Sequence, residues 1–440
     1  MRQQALVTRR ALLAGLAGLA ALPLTACGDH GTPVADADLV QAKGVGWRLP
    51  SATAPVEGLT EGMVAFAHDL CRANASGSQN WVASPLSIAS AFAMARVGAI
   101  GATAAALDEF FGFPASGASD GFNAIIRKVA TVSGPPGPAA KPSPGRVDLP
   151  PVVSLGSALF TQRGLALRDD FMNVLASEFG AGVRTVDFTT KTAVDQINKW
   201  VSEETAGRID QLFSSLDAST KLVIANTIYL RASWMQMFGE SPTVSAAFTR
   251  ADGRTLSVPT MVDVGQWQYA TGAGGWQALA MPYASGNDDG QPSAFAMWLI
   301  LPPPGGTPAD MLAPGILSAV AASLRSSPVD VAIPKWNFAT TIDLSSVLTG
   351  MGLDDVFGTG DFSGIATGIS GISSAIHKAN IAVDEFGTEA AAATGLAYAI
   401  SGMTAPAATF HANRPFAFTI VGGTTHLPLF SGVVSDPSAR

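Results

Sequence analysis

The 440-residue chain has two cysteines, five histidines and only 14% charged residues, and each shortage excludes something. Cys27 and Cys71 cannot supply a disulfide framework, so a hydrophobic core must hold the fold, and the length is ample for one. The histidines (His30, His68, His377, His411 and His426) form no H-E-x-x-H, and C-x-x-C, G-x-S-x-G and P-loop motifs are absent. Triads assembled from distant residues escape such a search, but no enzyme, metal or cofactor is expected. With 34 acidic residues against 26 basic ones and no basic tract, the chain does not read as a nucleic-acid binder. Gly272-Ala273-Gly274-Gly275 and Gly358-Thr359-Gly360 lack the strand-to-helix setting of a phosphate loop and read as turns. Asp354, Asp355 and Asp361 read as solvated turn acids.

What is present begins with a leader. Arg9-Arg10 precede an apolar run through Leu22, followed by Leu24-Thr25-Ala26-Cys27, so residues 1–26 read as a secretory signal. The ending resembles a bacterial lipobox and implies a lipid on Cys27, with an unlipidated signal as the alternative. Arg9-Arg10 also resembles a twin-arginine signal. The expected location is the cell envelope, as a lipoprotein on its extracellular or periplasmic face. Cleavage removes Arg2, Arg9 and Arg10 and no acid, taking the formal charge from -8 to -11. Residues 27–56 then read as a lipidated cysteine and a flexible polar tether. Cys71, ending a helical pattern over 63–70, reads as a small buried thiol.

Residues 57–440 read as a single α+β domain. Ser84 and Pro85 suit the start of a helix that ends by Gly98 to Gly101, with another helix at 103–111. Residues 133–151 hold seven prolines and three glycines and read as a surface loop. Helices are expected over 169–178 and 193–205. Strands are expected at 152–160, 278–282, 295–301, 329–333, 376–384, 416–421 and 429–434. The β-branched run at 221–230 reads as a strand buried on both faces. Helices early and strands late, without βαβ rhythm, point to mainly antiparallel sheets.

One stretch stands apart. From Ala390 to Asn413 there is no Asp, Glu, Lys or Arg. Gly395, Gly402 and Pro406, with scattered Ser and Thr, make it a poor membrane span. It alternates instead: Thr388, Ala390, Ala392, Thr394, Leu396, Tyr398 and Ile400 on one face, and Glu389 with small residues on the other. That is period two, the pattern of a strand with one face able to enter a core. Alanine and glycine are poor strand formers, so the segment reads as able to become a strand without having to be one. Local helix at 390–393 is the alternative.

Six motifs, in order, resemble the serpin family from about Leu59 to the C-terminus. They are Asn80…Ser84-Pro85-Leu86-Ser87-Ile88, the run from Ile224-Ala225-Asn226 to Trp234, and Ile376-His377-Lys378-Ala379. Asp384-Glu385-Phe386-Gly387-Thr388-Glu389 with the alanines and Thr394 follows, then Phe410-His411-Ala412-Asn413-Arg414-Pro415-Phe416, and last Leu429-Phe430-Ser431-Gly432-Val433-Val434-Ser435-Asp436-Pro437. The resemblance implies three β-sheets, eight or nine helices and an exposed reactive-centre loop (387–409 with its hinge). It also implies a covalent trap: a serine protease, or a cysteine protease, cuts the loop, which then inserts into the large sheet.

The resemblance assigns the hinge to Glu385, Gly387, Thr388, Glu389, Ala390, Ala391, Ala392, Ala393 and Thr394. Ser84, Ser87, Asn226 and His377 would form the shutter through which the sheet opens. Trp234 would stand where the loop first enters, and Glu385 would pair with Lys335. Family spacing puts the scissile bond at Ser401-Gly402, with Ile400, Met403 and Thr404 as alternatives. No Lys or Arg lies between Lys378 and Arg414, so elastase-, subtilisin- or chymotrypsin-like targets are expected rather than trypsin-like ones. Around 121–131 only Arg127 and Lys128 are basic, so heparin activation is not expected. A monomer is expected. A non-inhibitory serpin with a binding or structural role is the alternative.

Overall fold

In the computed structural model the described residues are 34–75, 78–132, 134–137, 150–238, 243–286, 292–389 and 405–439. Two elements come first, β1 (Asp38–Val40) and helix α1 (Val56–Asn74), which buries Leu59, Met63, Phe66 and Leu70 at helical spacing. After β2 (Trp81–Ala83), Ser84 caps α2 (Pro85–Val97). Its hydroxyl accepts from the Ser87 N–H at 3.1 Å, and Pro85 occupies the first turn, where no amide is needed. Next come α3 (Gly101–Phe111), α4 (Ala118–Val129), β3 (Val152–Gln162) and α5 (Asp169–Val174). They lead to β4 (Val183–Val186), α6 (Thr192–Glu204) and β5 (Leu222–Ser233).

The middle of the chain supplies β6 (Val244–Thr249), β7 (Thr255–Thr271), β8 (Gln277–Ala284), β9 (Pro292–Leu301) and α7 (Pro314–Ser323). Then follow β10 (Arg325–Pro334), β11 (Trp336–Asp343) and α8 (Leu344–Gly350). The last elements are β12 (Ser374–Asp384), β13 (Gly387–Thr388), β14 (Ala408–His411), β15 (Phe416–Gly422) and β16 (Leu427–Val434).

The first sheet has the order β1-β4-β3-β5-β13-β12-β11. The second network runs β14-β10-β7-β8-β9-β15-β16-β2, with β6 on β7. Two of the three expected sheets are joined here, because the 17-residue β7 pairs with β6 and β10 and continues to β8. Helix α2 packs against β3, β5 and β16, so it bridges the two sheets and is buried along nearly its whole length. Helix α6 covers the opposite face of β3 and β5. There Ile197, Trp200 and Val201 meet Ala158, Phe160, Val223 and Ala225. That cover is why β5 is buried at all twelve positions, while β12 alternates strictly between buried and half-buried residues.

The expected helix at 169–178 is two pieces, α5 and a π-helical turn at Leu175–Phe179, closed by left-handed Gly180. The expected tether is corrected more substantially: from residue 34 the chain is bound to the domain rather than free of it. β1 pairs antiparallel with β4 and so covers an edge that would otherwise present unpaired amides. The Trp47 Nε1–H donates to the Glu178 carbonyl at 3.1 Å, and Arg48 Nε to Glu178 Oε1 at 2.6 Å. The Arg127 guanidinium stacks 3.9 Å from the Trp47 ring centre. A Cβ on Gly180 would meet the Trp47 ring at 2.9 Å, so this glycine also makes room for the strap. The compact unit accordingly starts at Val34 rather than at residue 57. The signal, Cys27 and residues 28–33 lie outside the described residues.

Candidate functional site

The site is a seam. Strands β5 and β12 run parallel and pair directly only over Val223–Thr227 and Ser374–Lys378. Further along, β13 lies between them, antiparallel to both: Thr388 stands opposite Val383 and Ala232, and Gly387 opposite Asp384 and Ser233. Between these zones no pairing joins residues 228–231 of β5 to 379–382 of β12 among the described residues. The Glu389 N–H donates to the Ala382 carbonyl at 3.1 Å, the next rung down. A half-open slot therefore sits ahead of a hinge that has already started into it.

Each hinge residue is held by a specific contact. A Cβ on Gly387 would lie 2.0 Å from the Ala232 carbonyl oxygen, so only glycine fits between the strands here. Thr388 is 1% exposed, and its hydroxyl shares a 2.7 Å hydrogen bond with Tyr283. Tyr283 stacks on Trp234 with ring centres 4.6 Å apart. Trp234 in turn donates from Nε1 to the Asp384 carbonyl at 2.9 Å and from its backbone N–H to the Phe386 carbonyl at 2.9 Å. Burial drives the Tyr283 phenol far above its ordinary pKa, so it acts only as a neutral hydrogen-bonding group.

Three carboxylates surround the turn. Glu385 Oε2 accepts from Lys335 Nζ at 2.7 Å, and Thr243 donates to Oε1. Although burial opposes it, the net effect of these donors is to hold Glu385 below the usual carboxylate range. Asp384 Oδ1 accepts from the Phe386 and Gly387 amides at 2.9 and 3.3 Å, while burial raises its pKa. Glu389 adopts a left-handed backbone with φ 50° and pairs with Arg208 at 3.2 Å, on the face opposite Thr388. Burial raises the pKa of Glu389, against the pull of Arg208 and Arg231.

Where β5 and β12 do pair, a buried polar cluster crosses the seam. The Ser84 N–H donates to His377 Nε2 at 3.0 Å, which fixes the other ring nitrogen as the donor to Asn226 Oδ1 at 2.6 Å. Asn226 Nδ2 donates to the Ser87 carbonyl and to Ser157 Oγ, and Ser87 Oγ donates to the Thr227 carbonyl at 2.9 Å. Burial pushes the His377 imidazole down to about 3, so it is neutral at ordinary pH. With both ring nitrogens occupied, by the Ser84 amide and Asn226, His377 serves as a hydrogen-bonding group that ties β12 to β5 and to the start of α2.

Ser84, Ser87, Asn226 and His377 are thus brought together, as are Trp234, Lys335, Glu385, Gly387, Thr388 and Glu389 in a second cluster. Ala390, Ala391, Ala392, Ala393 and Thr394 lie outside the described residues, as do Ile400, Ser401, Gly402, Met403 and Thr404. The chain reappears at Ala405 and forms β14, parallel to β10. Sequence reasoning missed Tyr283 and Arg208, which touch the hinge across 105 and 181 positions of chain. Neither belongs to a local pattern, so no signal at those positions marked them. Cys71 is buried, with its thiol pushed up to about 12. No described helix is long and apolar enough to cross a membrane.

The profile of the family described as Serpin (serine protease inhibitor) matches residues 61–437. An uncharacterized serpin-like protein of Thermococcus kodakarensis is 32% identical over 384 residues, covering 84% of each chain. Among solved structures, the thermophilic serpin tengpin in its native state superposes with a TM-score of 0.76 at 22% identity, over 91% of this chain and all of that one. Human thyroxine-binding globulin complexed with thyroxine superposes with a TM-score of 0.73 at 25% identity, over 87% of this chain and all of that one.

Proposed function

Because the chain belongs to the serpin family, we propose that it is a suicide inhibitor of serine proteases, acting through cleavage of the loop after Glu389 and insertion of that loop into the β5–β12 slot. The observation that carries this reading is the hinge already lodged between two strands that do not pair with each other just ahead of it among the described residues. Continuing the register residue by residue sets Ala390 opposite Leu230 and Ile381, Ala392 opposite Ile228 and Ala379, and Thr394 opposite Asn226 and His377. Those positions of β12 are buried, so the loop's apolar face enters the core and Glu389 stays on the α6 side. Insertion replaces one parallel pairing by two antiparallel ones, the slightly more stable kind per residue. It also buries Leu396, Tyr398 and Ile400, at about 1.5–3 kcal/mol for each large side chain. The five β5–β12 pairs must part on the way, and the His377–Asn226 bond with them.

A bond near Ser401-Gly402, or at Ile400, Met403 or Thr404, suits elastase-, subtilisin- or chymotrypsin-like enzymes, whose pockets accept small or apolar groups. The chain is exported and anchored through Cys27, works as a monomer, and needs neither heparin nor nucleic acid. The second reading, a non-inhibitory serpin with a binding role at the cell envelope, draws on the structural likeness to a thyroxine-bound globulin. The hinge favours the first, because Thr388 is small, uncharged and already buried. Incubation with elastase and with subtilisin, followed by denaturing electrophoresis, separates the two. Inhibition gives a covalent band near the summed masses, whereas clean loop cleavage with full protease activity refutes it.

A further inference from the structure

Far from the hinge, the strap at residues 34–50 walls a cavity of about 470 Å³ between α4, α6 and the outer strands of the first sheet. That volume falls within the range of small-molecule sites, about 300–1,000 Å³. Its apolar lining comes from Met94, Ile126, Leu155 and Phe179, with the indoles of Trp47 and Trp200 at its sides. Gly156 lies against the Glu204 stem, and a Cβ there would come within 3.0 Å of Glu204 Cβ.

Two charged groups line this cavity without being consumed by the fold. Arg184 projects from β4 toward the Trp200 ring, 5.7 Å from its centre, and makes no hydrogen bond or ion pair among the described residues. Its neighbour Glu204 is 8% exposed, and among the described residues the Trp200 side chain is its one hydrogen-bonding side-chain partner. Arg127, by contrast, donates from Nε to Asn123 Oδ1 and from Nη2 to the Trp47 carbonyl. A half-buried guanidinium with free N–H groups beside flat aromatic and aliphatic walls is the arrangement that recognises a carboxylate carried on an apolar body.

We propose that this cavity is a binding site for a small amphipathic organic anion, its carboxylate on Arg184 and its apolar body against Trp200, Leu155 and Ile126. Burial pushes the Glu204 carboxyl up to about 7. The other charges that face the pair are Arg127 on α4, Glu203 on α6 and Asp36 on the strap. No histidine lines the cavity among the described residues, so a binding change between pH 6 and pH 8 reports Glu204. At pH 6 Glu204 is neutral and leaves Arg184 to the ligand. At pH 8 its negative charge competes for Arg184 and repels the ligand.

The test is calorimetric titration of the whole protein with 2-naphthoate, ionised throughout this range, and with its neutral amide. The expected result is one site at pH 6 that holds the acid at least about tenfold tighter than the amide, weakening about tenfold by pH 8. Arg184→Met should abolish the preference for the acid. Glu204→Gln should keep tight binding at pH 8. Thermal melting checks that each variant is folded. Should Arg184→Met fail to fold, Ala130→Trp, at the half-buried rim, should block the site instead. Equal binding of acid and amide, an acid preference that survives Arg184→Met, undiminished binding in Ala130→Trp, or no binding at all overturns the assignment.

Discussion

Thr388→Arg tests the hinge at its most constrained point. The position is 1% exposed and pinned between β5 and β12, with its hydroxyl 2.7 Å from Tyr283. Arginine at this site aims a guanidinium into the stacked Tyr283–Trp234 pair, and Glu385 and Glu389 are already committed to Lys335 and Arg208. An unpaired buried charge costs several kcal/mol, and the orphaned Tyr283 hydroxyl adds about 1–3 kcal/mol. A barrier increase of only about 4 kcal/mol slows insertion by about a thousandfold, at 1.36 kcal/mol per decade. Insertion competes with deacylation, so a change of that size converts a trap into a substrate. The assay is titration of a fixed amount of protease with wild type and variant, reading residual activity and the covalent band. Wild type should approach one molecule per protease, while the variant is cut with the protease left active. Thr388→Ser keeps the hydroxyl and should behave as wild type. Equal stoichiometry for wild type and Thr388→Arg would refute the insertion argument.

Other consequences can be measured on the same protein. Gly387→Ala places a methyl 2.0 Å from the Ala232 carbonyl, so it should expel the hinge from the seam, seen as faster proteolysis at residues 385–389. His377→Gln should change the acid limb of stability. The folded pKa of about 3 lies below the unfolded value near 6.5, so the unfolded chain takes up the proton first as pH falls. Wild type therefore loses up to about 1.4 kcal/mol per pH unit from this residue between pH 6.5 and 3, a slope that urea titrations of the variant should lack. Trp47→Ala removes a ring packed on Arg127 and Gly180 and should lower unfolding stability by about 2–4 kcal/mol, whereas a free tether would give no change.

Much of the site was legible because its requirements are local and repetitive. The period-two pattern puts Thr388 on the inward face and Glu389 on the other, which is where those two side chains lie, and β12 shows the same alternation across the seam. Ser84-Pro85 announced the start of α2 through capping chemistry that needs no tertiary context. The strap escaped because composition was its only signal. A polar, glycine-dotted run looks free until β4 supplies an edge to pair with and Gly180 a gap for Trp47. Strand β11 and the long β7 were overlooked for a related reason: their half-exposed faces carry Thr, Gln and Asp, which blur the alternation. The need for glycine at 387 also follows only from the approach of the Ala232 carbonyl, a contact across 155 positions.

The central claim is that the cut loop becomes a strand between β5 and β12. Hydrogen exchange on intact and loop-cleaved protein tests it most directly. On cleavage near Ser401, the amides of 228–231 on β5 and 379–382 on β12 that point into the slot, alternate residues of each strand, should change from fast to strongly protected exchange, accompanied by a higher melting temperature. The others are already bonded to β3 and β11. Unchanged exchange at the slot-facing amides after complete cleavage would contradict it.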